Sequence, residues 1–139
     1  MYRALIAAAA LLAFTGTASA ETFACRSVSG EPPVNLDFAL RYSSDGFTVI
    51  SAAFQIEGDI GYSTTATEPT SLATIAHAPI SAAEDVAFRF HYTDAEYDGD
   101  VASVRIVSLS EGMDIKAAGV IAVVGGGAWA LECDLSYEG

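Results

Sequence analysis

Residues 34–42 read VNLDFALRY. Val34, Leu36, Phe38, Leu40 and Tyr42 alternate with Asn35, Asp37, Ala39 and Arg41. A period of two places every apolar side chain on one face of an extended chain, which marks a strand with one buried side. Residues 86–93, VAFRFHYT, repeat the pattern with Val86, Phe88, Phe90 and Tyr92. Residues 129–135, WALECDL, repeat it again with Trp129, Leu131, Cys133 and Leu135. By the same rule Phe23 and Cys25 share one face of an opening strand.

Further strands are expected at 47–56, 59–64, 72–78, 101–109 and 115–124. Turn residues separate them: Gly30 to Pro33, Ser43 to Gly46, Glu57-Gly58, Asp98-Gly99, Glu111-Gly112 and Gly125-Gly126-Gly127. Ser81-Ala82-Ala83-Glu84 has the spacing of a capping box and predicts one helical turn. Long amphipathic helices are not expected. The expected fold is all-β: an antiparallel sandwich or small barrel of about eight or nine strands. The uncharged stretch from Ala117 to Leu131 is expected to form two central strands covered on both faces.

The first twenty residues stand apart. Arg3 is followed by an apolar run from Ala4 to Phe14, then by Ala18-Ser19-Ala20. That order is the layout of a secretory signal with cleavage after Ala20. The apolar run is too short to span a bilayer, which takes about 20 residues. The chain therefore divides into a signal at 1–20 and one domain at 21–139, with no integral membrane segment in the mature part. A lipoprotein signal ending at Cys25 is a poor reading of Thr22-Phe23-Ala24.

Export implies an oxidising compartment, periplasmic or extracellular. Cys25 and Cys133 are then expected to form a disulfide that sets the first and last strands side by side. No Cys-x-x-Cys spacing supports a redox thiol.

The 139 residues hold 18 acids against 6 lysines and arginines, for a formal charge of −12. No basic stripe exists to neutralise phosphates, so nucleic acid is excluded as a partner. A hydrophobic share of 52% excludes disorder of the whole chain.

Residues 94–101 read DAEYDGDV, with carboxylates at Asp94, Glu96, Asp98 and Asp100 and Gly99 in sixth place. This spacing matches the first half of a calcium loop, whose oxygens at positions one, three and five wrap the ion. Position twelve is Arg105, where such a loop needs a bidentate Glu, and the flanks are strands. The competing reading is an acidic hairpin tip turning at Asp98-Gly99.

Catalytic patterns are thin. No Gly-x-Ser-x-Gly elbow occurs. His77 and His91 are the two imidazoles, and no motif places a partner beside either. A small hydrolase would need one of them in a deep pocket beside a carboxylate. Trp129 reads as a core anchor, and the Ser- and Thr-rich stretch from Tyr62 to Ser71 as a loop, either plain or recognising. The functional expectation is a small exported, non-enzymatic binding or interaction protein. Its partner, a protein or a small ligand, is not specified by any motif. Its rivals are a calcium-binding β module and an acidic inhibitor of a basic hydrolase.

Overall fold

The computed structural model describes residues 20–65, 70–82 and 84–138. The signal expected at 1–20 lies outside them except for Ala20, as does the centre of the polar stretch between Thr65 and Thr70. Ten strands make a single sheet: β1 (Ala20–Ser27), β2 (Val34–Ser43), β3 (Gly46–Ile56), β4 (Gly61–Ser63), β5 (Ser71–Leu72), β6 (Thr74–Ala76), β7 (Asp85–Thr93), β8 (Asp98–Glu111), β9 (Asp114–Val123) and β10 (Gly127–Glu138). Their order is β5-β4-β3-β2-β1-β10-β9-β8-β7-β6. All pairings are antiparallel except β4 with β5.

This order is a meander entered from its middle. The chain begins and ends at the central pair, β1 and β10, and each half winds outward. The two outer strands, β5 and β6, are consecutive in sequence and flank Ala73, whose amide donates to the Ser63 carbonyl (2.8 Å). One short segment therefore borders both edges, and the sheet curls into a nearly closed barrel. A bridge between Phe47 and Ile80 adds a second tie across the same gap. Closure leaves little free edge for other chains to add to.

The alternation in sequence maps onto the wall. Phe23, Leu36, Phe38, Phe54, Val86, Phe88, Phe90, Ile106, Ile121 and Leu131 are all buried inside. Seven rings run through the interior in contact: Phe23, Phe38, Phe88, Phe90, Phe54, Tyr62 and Tyr92, with successive centroids 4.5–5.7 Å apart. The barrel is thus packed with side chains, and its axis is not an open channel. Trp129 is buried as an anchor, its indole N–H donating to the Pro32 carbonyl (3.1 Å).

Cys25 and Cys133 face each other in the β1–β10 register with Cα atoms 4.0 Å apart, and they form the expected disulfide. Arg26 and Asp134, the residues after each, pair across the outer surface of the same seam (3.3 Å).

Three local expectations change. Ser81 to Glu84 forms no helix among its described residues; Asp85 donates to the Ala82 carbonyl and closes a turn instead. The helix signal there is one capping pattern with no following amphipathic run, so strand β7 takes over at once. Strands β9 and β10 are buried on one face only: Ala118, Val120, Ala128 and Ala130 are exposed. Their lack of charge reflects small residues on the outer wall, not a second covering layer. The Asp98-Gly99 pair lies within β8 opposite Tyr92 and Thr93, so the hairpin turns earlier, over 94–97.

Gly119 on β9 has no room for a side chain. A Cβ there would lie 1.9 Å from the Arg105 carbonyl oxygen of β8 and 2.7 Å from the Ile106 Cδ1. Gly119→Ala must push the β8 and β9 backbones apart, and we expect a loss of about 1–3 kcal/mol in urea unfolding. Reduction of the Cys25–Cys133 bond should cost about 2–5 kcal/mol in the same measurement, because it frees the two ends of the unfolded chain. An unchanged midpoint in dithiothreitol would mean that strand pairing alone holds the seam.

Candidate functional site: an aromatic mouth at one end of the barrel

Because consecutive strands reverse direction, the β1–β2, β3–β4, β7–β8 and β9–β10 connections all emerge at the same end. Between three of them lies a cavity of about 270 Å³. Its walls are Ile60 from the β3–β4 turn, Tyr62 from β4, Tyr92 from β7, Asp94 and Tyr97 from the β7–β8 hairpin, Val101 from β8, and Val123 and Val124 from the end of β9. Ile60, Tyr97 and Val124 are 41%, 40% and 67% exposed, so apolar surface continues onto the rim. Barrel mouths are common places for small ligands, and pockets for drug-sized molecules run from about 300 Å³ upward. A cavity just below that range suits a small molecule or one end of a larger one.

Each wall residue is held by a local feature. The β7–β8 register shifts between Phe90 and His91, since Phe90 opposes Ala102 while His91 opposes Asp100. The extra residue is Val101, and both Val101 and Ala102 are buried. The bulge thus turns Val101 into the mouth, a common effect of an inserted residue. The Val101 carbonyl accepts from the Val124 amide (2.9 Å), which fixes the β9 end of the wall.

Asp94 shapes the hairpin. Its Oδ1 accepts from the backbone amides of Glu96 and Tyr97, each at 2.7 Å, and its own amide donates to the Tyr97 carbonyl (2.8 Å). This is an Asx-type turn, and it displaces the Asp-Gly turn expected from sequence. The two amides hold the Asp94 carboxyl below its ordinary 3.8, so it stays ionised.

Tyr97 folds back beside Gly99, and its hydroxyl donates to the Asp100 carbonyl (2.7 Å). Tyr62 and Tyr92 meet edge to face, centroids 5.2 Å apart with planes at 65°. Burial raises the Tyr62 phenol above 10.0, with Tyr92, Tyr97 and Asp94 adding to the effect. Desolvation and then the facing Asp94 carboxylate raise Tyr92 as well. These groups therefore converge, with the Tyr62 and Tyr92 phenols neutral and Asp94 charged.

The outer face of the same hairpin carries a different set. His91 Nε2 lies 2.8 Å from Asp98 Oδ1, and its Nδ1 lies 3.3 Å from Asp100 Oδ1. Arg89 donates to Asp100 Oδ2 (3.0 Å), and Thr93 donates to Asp98 Oδ1 (2.9 Å). An imidazole with carboxylates at both nitrogens donates twice only when protonated. The hydrogen bonds to Asp98 and then Asp100 accordingly raise His91 above its usual 6.5, and His91 in turn lowers Asp98.

The four carboxylates singled out in sequence are thus sorted onto different tasks. Asp94 shapes the turn and borders the cavity. Glu96 is exposed and lends its amide to Asp94. Asp98 and Asp100 pair with cations on the outer wall. Among the described residues, no three His, Cys, Asp or Glu side chains come together as a metal site. His77 sits away from the cavity, its Nδ1 2.8 Å from the Ala78 carbonyl.

The tyrosines of the mouth were not singled out from sequence as a group. Tyr92 stands at the end of an inward-facing series, and Tyr62 borders the polar stretch, but only the curl of the sheet brings them together. No family model, curated protein or solved structure matches the chain.

The paired His91 gives a pH signature. Its folded pKa lies above 6.5, so its stabilising contribution is complete below 6.5 and disappears as pH rises through the raised value. The folded pKa of Asp98 lies below 3.8, so its contribution is complete above 3.8 and disappears on further acidification. Pairing should therefore help most between those two ordinary values. NMR titration should show the His91 imidazole titrating above 6.5 and moving down in Asp98→Asn. A His91 pKa at or below 6.5 in the unaltered protein would contradict the pairing.

Proposed function

We propose that this chain is a small exported, non-enzymatic binding protein that receives its ligand at the tyrosine-lined mouth of the barrel. The observation that carries the reading is the convergence of Tyr62, Tyr92 and Tyr97 with Ile60, Val101, Val123 and Val124 on one cavity whose rim stays apolar and exposed. Aromatic and branched walls with one placed polar group are the usual composition of a small-molecule site.

Export is supported by Arg3, the apolar run after it and Ala18-Ser19-Ala20, and by a disulfide that an oxidising compartment maintains. The disulfide is consistent with a periplasmic or extracellular protein, and no helix among the described residues is long and apolar enough to cross a membrane. Binding is favoured over catalysis because both histidines are engaged away from the cavity wall, His91 by two aspartates and His77 by a carbonyl. The calcium reading loses ground because Asp98 and Asp100 are turned to His91 and Arg89. The inhibitor reading still rests on charge alone.

A screen of small neutral, aromatic and cationic fragments by amide chemical-shift mapping tests the site. Perturbations should cluster on Ile60, Tyr62, Tyr92, Tyr97, Val101 and Val123, and Tyr97→Ala should remove most of them. Perturbations confined to the outer faces of the sheet would reject the mouth as the binding site.

A further inference from the structure

We infer that the mouth is an aromatic cage for a quaternary or methylated ammonium group, held by the faces of Tyr62, Tyr92 and Tyr97 and by the charge of Asp94. The inference rests on the mouth being the ligand site and adds the chemical class of the ligand.

Three observations carry it. First, the aromatic walls are tyrosines at differing angles. Tyr62 and Tyr92 stand at 65° to each other, and Tyr97 is fixed as a third wall by its bond to the Asp100 carbonyl. Ring faces carry partial negative charge, and several rings around one volume attract a cation without hydrogen-bonding it. A methylated ammonium lacks some or all of the N–H donors of a plain ammonium, so it loses less by leaving water for such a site.

Second, Asp94 differs from the other aspartates of its hairpin. Asp98 is paired with His91, and Asp100 with Arg89 and His91. Asp94 is held by neutral donors, two backbone amides, with the Tyr92 phenol facing it. These bonds fix its position but leave its negative charge uncancelled. A positive ligand in the cavity would meet that charge beside the Tyr92 hydroxyl.

Third, half of the wall is apolar. The side chains of Ile60, Val101, Val123 and Val124 offer no hydrogen-bond acceptors, so a hydrated metal ion or a primary amine would find partners only at Asp94 and the tyrosine hydroxyls. Those apolar side chains offer methyl-sized contacts to methyl groups on nitrogen. An anionic ligand would meet Asp94 directly, within a chain of formal charge −12.

The test compares choline chloride with 3,3-dimethylbutan-1-ol, which replaces the charged nitrogen by carbon and keeps the shape. Isothermal titration at fixed ionic strength should give one saturable site for choline and at least tenfold weaker binding of the neutral alcohol. Asp94→Asn keeps the acceptor for the Glu96 and Tyr97 amides and removes the charge. It should weaken choline about tenfold and leave the alcohol unchanged. Tyr97→Leu should weaken choline by a similar factor, with the melting temperature and amide spectrum showing that the barrel is intact. Equal affinity for both compounds, or an unchanged choline affinity in Asp94→Asn, would overturn the ammonium assignment while leaving an apolar mouth in place. Absence of choline binding overturns it too. If the fragment screen also leaves the mouth unperturbed, the binding reading itself fails.

Discussion

The β1–β10 pairing is the contact on which the rest of the architecture depends. It joins the two ends of the described chain along eight residue pairs and is locked by Cys25–Cys133. Without it the sheet would part into two meanders, β1 to β5 and β6 to β10, with bare edges at β1 and β10. With it, the sheet is continuous, and its remaining edges fall on neighbouring residues around Ala73. Non-local pairing of this kind is costly in chain entropy. A covalent tie between residues 108 positions apart reduces that cost by restricting the unfolded chain.

The curl that follows determines what the interior can hold. Aromatic rings fill it from Phe23 near one end to Tyr92 near the other. The series changes from phenylalanine to tyrosine at the mouth, where a hydroxyl can reach water or a polar partner. Depth is thus given over to packing, and the proposed recognition falls to the last layer. Rigid walls suit this division. The bulge at Val101, the Asx turn at Asp94 and the Tyr97 bond to Asp100 each fix a wall residue through the backbone. A ligand of the proposed kind would meet a surface already formed, so little ordering would be required on binding.

The fold was largely legible in the sequence because each long strand has one wet face and one dry face. The runs at 34–42, 86–93 and 129–135 alternate as expected except at Tyr42, which ends the first run and is 66% exposed, and Cys133 lies on the inward side. Strands β9 and β10 were harder. Alanine carries almost no signal for inside or outside, so Ala118, Ala128 and Ala130 concealed the exposed face. The short strands β4, β5 and β6 were read as parts of longer ones, since two or three residues cannot establish a period. The site was much less legible. Tyr62 and Tyr92 are thirty positions apart and become neighbours only through closure. The acidic run at 94–100 drew attention for its charge, yet spacing alone could not show the turn over 94–97 or the extra residue at Val101 that part its carboxylates. Asp94 went to the mouth, while Asp98 and Asp100 went to the outer wall.

That sorting also explains how so acidic a chain can carry a local electrostatic preference. Arg26 pairs with Asp134, Arg89 with Asp100, Arg105 with Asp85, and His91 with both Asp98 and Asp100. All of these contacts lie on the outer wall between adjacent strands, where solvent screens them and each is worth little alone, about 0–1 kcal/mol. The set formed by Arg89, His91, Asp98 and Asp100 offsets negative charge on the outer side of the hairpin beside the mouth. Asp94 has no such cation among its partners, and it stands exposed at the rim of the cavity. The same hairpin thereby cancels negative charge on its outer side and preserves it on its inner side. The extra residue at Val101 reverses the inward–outward alternation along β8, so Asp98 and Asp100 face His91 on the outer wall, while Asp94, in the turn, borders the cavity.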